Sequence, residues 1–108
     1  MSKIDMPRGV LTMLVLRVLK AGPLHGYAIA QRIRNLSSDV LRVEEGSLYP
    51  ALEGMLRKGY AKAAWGISDT NRRVRFYRLT PAGLKQLESR LSEYDQVADA
   101  IRAILRTA

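Results

Sequence analysis

The fold is decided by residues 57–78, which read RKGYAKAAWGISDTNRRVRFYR. Two strands are predicted here, Tyr60–Ile67 and Arg73–Leu79, each bounded by turn-forming residues. The polar segment Ser68–Asn71 between them consists of residues that tolerate turn geometry. We therefore expect an antiparallel hairpin, with Arg73 on one face together with Arg75 and Tyr77. The alternating pattern leaves open which face of the hairpin lies inward.

Most of the excess positive charge lies in the same stretch. The 108 residues include 18 Lys and Arg against 10 Asp and Glu, a formal net charge of +8. Residues 57–78 contain seven basic residues and one acidic residue, Asp69, which is a net charge of +6 in 22 residues. Such a basic domain favours nucleic acid or an anionic lipid surface as partner, because its summed field concentrates polyanions.

Three helices are predicted before the hairpin. The first spans Arg8–Lys20 and is apolar on nearly all faces, as is typical of a helix buried on most sides. The second spans Gly26–Leu36 and the third Leu48–Lys58. Ser47 is the expected N-cap of the third helix, which places Pro50 in the first turn, where no intrahelical hydrogen bond is lost. Three helices followed by a basic hairpin is the order of a winged helix-turn-helix.

A long helix is predicted after the hairpin, with Thr80 as its cap and Pro81 at its first position. Apolar residues recur at alternating spacings of three and four, as in a heptad repeat. They are Leu84, Leu87, Leu91, Tyr94, Ala98, Ile101 and Leu105. At 1.5 Å per residue the helix would extend about 35 Å and overhang a small domain. We expect this seam to pair with a second copy; the alternative is one helix packed along its own domain.

These patterns predict a fold that is mainly α with a two-stranded β-wing. Residues 1–79 would form a winged helix-turn-helix DNA-binding domain, and residues 80–108 a C-terminal dimerisation helix. The exposed side of the third helix, Ser47–Arg57, would enter a major groove about 12 Å wide, where base edges display a distinct pattern of donors and acceptors. The hairpin arginines would bind the flanking phosphates.

Composition argues against several other classes of protein. The chain has no cysteine and a single histidine, His25, which excludes disulfides and histidine-rich metal clusters. The longest apolar run, Val10–Leu19, is shorter than the ~20 residues that a membrane span needs. We expect no metal, no cofactor, no membrane association and a cytoplasmic location. With no glycine-rich phosphate loop either, we expect no enzymatic activity.

Three blocks of sequence resemble the PadR family of bacterial transcriptional regulators. They are Leu24-His25-Gly26-Tyr27, Gly46-Ser47-Leu48-Tyr49-Pro50-Ala51-Leu52 and Arg72-Arg73-Val74-Arg75-Phe76-Tyr77-Arg78-Leu79-Thr80-Pro81-Ala82-Gly83. The resemblance implies a homodimer joined by the C-terminal helix and bound to double-stranded DNA at a palindromic operator. It also implies a repressor that a small-molecule effector releases. The length resembles the compact subgroup with a single C-terminal helix, but Trp65 lies on the first wing strand, which argues against drug stacking between C-terminal tryptophans.

Nine residues are the candidate DNA contacts: Tyr27, Ser47, Tyr49, Pro50, Arg57, Asn71, Arg72, Arg73 and Arg75. Tyr49 matches the tyrosine that contacts DNA in the family it resembles, although a buried aromatic that pins the helix to the core would have the same pattern. Tyr27 would donate to a phosphate. Asn71 either reaches a groove or holds the turn, and His25 is expected to cap the second helix locally.

Composition disfavours an enzyme, and two other hypotheses of function stay open. The first is a sequence-specific DNA-binding regulator, which acts as a homodimer. The second keeps the same fold but uses the winged helix for protein–protein contact or for non-specific nucleic-acid binding. Base preference that depends on Ser47 and Tyr49 would distinguish them.

Overall fold

The protein is described from a computed structural model that covers Met6 and residues 9–107. This part of the chain contains four helices and three strands. They are α1 (Val10–Leu19), β1 (Leu24–His25), α2 (Gly26–Leu36), α3 (Glu45–Arg57), β2 (Ala61–Ile67), β3 (Arg73–Leu79) and α4 (Pro81–Leu105). The prediction of a mainly helical fold with a β-wing is confirmed. The predicted start of the first helix, Arg8, lies outside the described residues.

The four helices share one apolar core. Val15 and Leu16 of α1 are fully buried, as is Ile29 of α2. The third helix contributes a stripe at helical spacing, Leu48, Leu52 and Met55. Leu87 of α4 completes the same cluster. Because α1 and α2 contact α3 through this core, they hold one side of α3 inward and leave the other side facing solvent.

The sheet has three strands in the order β1-β3-β2, rather than the two that were predicted. The extra strand, β1, pairs Leu24 with Tyr77 and His25 with Phe76. Two residues are too few to produce a recognisable alternation, which is why the pattern did not indicate a strand. The wing itself is an antiparallel pair whose register runs from Ala61 opposite Leu79 to Ile67 opposite Arg73.

Tyr77 settles which face of the wing lies inward. Its side chain is buried, whereas Arg78 is exposed. Residues directly opposite in an antiparallel pair share a face, so Trp65, the partner of Arg75, lies on the same side as Tyr77. The inward face of the wing therefore carries Arg73 and Arg75 as well as the tyrosine.

The third helix begins earlier than predicted. It starts at Glu45 rather than Leu48, and the amide of Leu48 already donates to the carbonyl of Glu44 at 2.9 Å. Ser47 is thus within the first turn, and the prediction that it is the N-cap is wrong. Pro50 consequently lies inside the helix, and its missing N–H leaves the Gly46 carbonyl without the usual donor. The apolar pattern starts only at Leu48, so it did not reveal the polar first turn.

The last helix begins as predicted and extends beyond the domain. The Gly83 amide donates to Thr80 Oγ1 at 3.0 Å, which confirms the Thr80 cap. The first turns pack into the core through Gly83 and Leu87. Every side chain from Leu91 to Thr107 is exposed, apart from the half-buried Ala98. The division of the chain at residue 80 into two functional parts stays a prediction.

None of the helices in the described part of the chain has the length and apolar character needed to cross a membrane.

Candidate nucleic-acid interface

The outward side of α3 presents a stripe of residues one helical turn apart. Gly46, Pro50, Glu53 and Arg57 follow each other at spacings of three and four and are all exposed. Leu48, Leu52 and Met55 occupy the buried side of the same helix and fix this orientation; they are the inward stripe of the core. Three of the predicted contacts, Ser47, Pro50 and Arg57, therefore lie on the solvent side of one rigid helix.

Tyr49 both packs against α2 and remains open to solvent. It is 43% exposed, yet a Cβ on the buried Gly26 would lie only 2.7 Å from the Tyr49 hydroxyl. The two interpretations of Tyr49, contact with DNA and packing of the helix against the core, are thus compatible. Glycine at position 26 leaves room for the hydroxyl end of the Tyr49 ring at the start of α2.

Tyr27 lies across a cleft from Tyr49. Its side chain is 68% exposed, and Gln31 Nε2 donates to the Tyr27 hydroxyl at 3.0 Å. The cleft between α2 and α3 has a volume of about 350 Å³ and is lined by both tyrosines. Because the phenol still has a proton to donate, Tyr27 can bind an acceptor such as a phosphate oxygen.

The wing directs Arg75 towards α3 and carries Arg73 on the same face, beside Trp65. Arg75 Nη1 lies 3.2 Å from Glu53 Oε1, an ion pair that links β3 to the outward stripe of α3. The guanidinium carbon of Arg73 lies 4.7 Å from the ring centroid of Trp65, a distance typical of cation–π contacts. The stacked ring orients Arg73 while leaving its donors available. The positive charge of the wing and the exposed side of α3 thus belong to one surface.

The Tyr77 ring packs against the guanidinium of Arg75. The guanidinium carbon of Arg75 is 5.7 Å from the Tyr77 ring centroid. Burial raises the pKa of the Tyr77 phenol above its ordinary value, an effect that the positive charge of Arg75 partly opposes. The phenol is therefore neutral at physiological pH and supports the arginine without adding negative charge.

The tip of the wing carries the remaining predicted contacts. Asn71 has a left-handed φ of 60°, and its amide donates to the Ser68 carbonyl at 2.9 Å. The backbone of Asn71 thus holds the turn, while its side chain is exposed. Arg72 is exposed beside it. No acidic partner pairs with Arg72 or Arg73 among the residues that the structure describes.

Part of the hairpin's positive charge lies on the outer face of the wing. Lys62 and Arg78 are directly opposite each other on the outer face of the wing, away from the Arg75 side. Of the net charge of +6 counted from the sequence, the share of Arg57 and Lys58 lies at the end of α3, and the rest is divided between the two faces and the tip of the wing.

The end of α2 and the turn that follows it add two arginines that sequence reasoning missed. Asp39, with a left-handed φ of 68°, forms ion pairs with Arg34 and, at 2.8 Å, with Arg42. Hydrogen bonds from Arg42 and then Arg34 hold the pKa of the Asp39 carboxyl below its usual value. Both arginines also line the cleft beside Tyr27. No spacing rule signals this cluster, because it depends on the unusual backbone of the turn.

Five of the seven predicted seam residues of α4 are exposed, one is half-buried and one is buried. Leu84, Leu91, Tyr94, Ile101 and Leu105 are exposed and Ala98 is half-buried, so all six can be reached by another chain. Leu87 is only 1% exposed and packs in the core of its own subunit, which removes it from the seam. Val97 and Ile104, which the heptad pattern did not include, add to the exposed apolar surface.

Comparison with known proteins connects this geometry to a family. Residues 15–89 match the sequence model of the transcriptional regulator PadR-like family. The chain is 29% identical over 102 residues to an uncharacterized protein from Lysinibacillus sphaericus, which covers 94% of this chain and 93% of that one.

Solved structures show the same fold. A transcriptional regulator from Clostridium thermocellum superimposes with a TM-score of 0.84 at 28% identity, over 92% of this chain and 96% of that one. A PadR family transcriptional regulator from Eggerthella lenta gives a TM-score of 0.80 at 27% identity, over 94% and 86% of the two chains. The exposed α3, the basic wing and the family match over residues 15–89 agree with one another: the chain belongs to the PadR-like family of transcriptional regulators, which regulate by binding DNA.

Proposed function

We propose that the protein is a sequence-specific repressor that binds a palindromic operator as a homodimer and is released by a small-molecule effector. The observation that carries the proposal is the 3.2 Å ion pair between Arg75 of the wing and Glu53 of α3. The ion pair holds the arginine-bearing inner face of the wing beside the exposed side of α3, which supports phosphate binding by the wing and groove reading by the helix. A single duplex can then be gripped by both, with α3 in the major groove and the wing on the flanking backbone.

The C-terminal part of α4 supports the homodimer. Residues 91–105 form about four helical turns whose side chains are almost all exposed. Isolated helices of this length are marginal in water, because tertiary packing of an apolar face provides most of their stability. The ion pair between Asp99 and Arg102 is exposed and contributes little. Pairing with a second copy would bury Leu91, Tyr94 and Ile101 together.

Two-fold symmetry of the dimer would require an operator with inverted half-sites. Two identical α3 helices related by such an axis read inverted half-sites, whose centres lie about 34–36 Å apart or a multiple of that distance. A dimer bound over a promoter would repress by excluding RNA polymerase. A ligand that altered the angle between α4 and the winged domain would change the separation of the two α3 helices and release the DNA.

The direct test compares wild-type protein on its own palindromic upstream DNA and on random duplex of equal length. We expect binding to the palindrome to be tighter by about 10³-fold or more at physiological salt. Equal affinity for both duplexes would contradict the proposal and favour a module for non-specific nucleic-acid binding.

The dimer is tested by Leu91→Lys, which places a charge on the proposed seam. We expect a monomer of 12.1 kDa in sedimentation and a large loss of operator affinity. Ser92→Lys is the matched control, because it adds the same charge at an exposed neighbouring position off the seam. An intact dimer in the Leu91→Lys variant would count against the seam assignment.

A further inference from the structure

Glu53 is an acidic residue in the middle of a surface that otherwise suits DNA. It is the only acidic residue between positions 46 and 58. It lies on the outward stripe of α3, one turn after Pro50 and one turn before Arg57. Its side chain is 51% exposed, so it is available to a ligand as well as to Arg75.

Only one oxygen of the Glu53 carboxylate is bound. Arg75 Nη1 is 3.2 Å from Oε1, and no other donor within the described residues bonds to the carboxylate. A carboxylate has acceptor sites on both oxygens and no donor when ionised. The second oxygen can therefore accept a hydrogen bond from water or from a bound partner that carries a donor, and ionised phosphate carries none.

Arg75 makes it feasible for this carboxylate to approach DNA. An unpaired carboxylate beside phosphates would be repelled, but the guanidinium offsets its charge and limits its orientation. Arg75 has five N–H donors, so it can hold Glu53 and still bind a phosphate oxygen. The pair thus presents an acceptor to the groove at a defined place beside the wing.

The chemistry of base edges selects the partner. In the major groove guanine shows only acceptors, and thymine shows an acceptor and a methyl group. Adenine has a donor, N6, but its N7 acceptor lies beside it and repels a carboxylate. Cytosine presents its N4 amino group as a donor without an adjacent acceptor on the same base, and carboxylates are known to accept from it.

We propose that Glu53, positioned by Arg75, is a specificity-determining residue that selects cytosine at one position in each half of the operator. The inference rests on the proposed function, since it requires α3 to enter the major groove. The competing explanation is that Glu53 only anchors the wing to α3 and contributes nothing to base preference.

The experiment selects binding sites from a random duplex library with full-length wild-type, Glu53→Ala and Glu53→Gln proteins. Each base of the selected site is then varied and its affinity is measured. Glu88→Gln, an exposed position on α4, is the control for the loss of one negative charge. Thermal unfolding verifies that the variants fold, which we expect because an exposed ion pair contributes little to stability.

We expect wild-type protein to prefer cytosine at one symmetric position, with a loss of about 5- to 30-fold for any other base. Glu53→Ala should bind all four bases there equally and keep its preferences elsewhere. Glu53→Gln should move the preference to adenine, because an amide pairs with both N6 and N7 of that base. Glu88→Gln should match wild type.

Two other results would overturn the inference. If Glu53→Ala keeps the wild-type base preferences, whether or not its affinity falls for all sequences, then Glu53 merely anchors the wing and the regulator proposal still stands. If wild-type protein selects no sequence at all, the proposed function fails and this inference fails with it.

Discussion

Gly83→Ala tests how α4 is joined to the DNA-binding domain. Gly83 is buried in the first turn of α4, where the backbone passes the end of α3 and the start of the wing. A Cβ at this position would lie 2.0 Å from the Tyr60 carbonyl oxygen and 2.7 Å from Leu79 Cδ1. The same carbonyl accepts a hydrogen bond from the Thr80 amide at 3.1 Å, so the two backbones cannot separate without weakening that bond.

The opposing effects can be compared in magnitude. Alanine is favoured over glycine inside a helix by up to about 1 kcal/mol. Overpacking a rigid site costs about 1–3 kcal/mol, and weakening the Thr80 hydrogen bond adds about 1 kcal/mol. The contact is with backbone, which cannot rotate away, so the upper part of that range applies. We expect the free energy of unfolding to fall by about 2 kcal/mol, or roughly 10 °C in Tm.

The assay is urea and thermal unfolding at one fixed protein concentration, since association would make the midpoint depend on concentration. Gly54→Ala is the matched control, because its Cβ would meet only Arg57 Nη2 at an ordinary 3.6 Å. That variant should gain up to about 1 kcal/mol. A Gly83→Ala protein as stable as Gly54→Ala would refute the close approach of α4 to the wing base.

Three further predictions concern charge. Between about pH 9 and pH 11, the free energy of unfolding of Tyr77→Phe, measured by urea titration, should fall less than that of wild type. Burial raises the Tyr77 pKa above 10.0, so in wild type the unfolded state ionises first and stability is lost. Identical losses would exclude a buried phenol. Asp39→Asn should unfold more readily than wild type at neutral pH, and the difference should shrink as the pH falls below 3.8, because the pKa of Asp39 is lowered from that value and its stabilisation is lost as pH falls through the folded pKa. A difference in unfolding that persisted in acid would argue against the ion pairs of the turn. Arg73→Ala should reduce the slope of log affinity against log salt by about 1, equally on all sequences, whereas Arg102→Ala on α4 should leave it unchanged; equal slopes for both variants would remove Arg73 from the phosphate contacts.

Helical and strand periodicity in the sequence predicted most of the fold. The helical spacing of Leu48, Leu52 and Met55 in the sequence is enough to indicate the inward side of α3, and Thr80 with Pro81 marks the start of α4, because caps and amphipathic faces are local properties. The first turn of α3 and the two-residue strand β1 were beyond such reasoning, since neither has an apolar pattern of its own.

The site was only partly predictable for a related reason. Leu87 and Leu91 both fall on the seam of the heptad pattern, but only the packing of α4 against α1 determines that Leu87 is covered by its own subunit. Likewise, Tyr77 and Phe76 were equally good candidates for the core from the sequence, and only the burial of Tyr77 in the folded chain decides between them. Arg75 and Glu53 are 22 residues apart in sequence, so no local sequence pattern indicates that they are in contact.

Hydroxyl-radical footprinting of the operator at increasing protein concentration tests the central claim most directly. Two copies that each insert one α3 and join through α4 should protect two equal patches at the same protein concentration. The centres of these patches should lie about 10–10.5 base pairs apart, or a multiple of that spacing. A single protected patch, or two patches that fill at different concentrations, would contradict a symmetric dimer that reads DNA with paired helices.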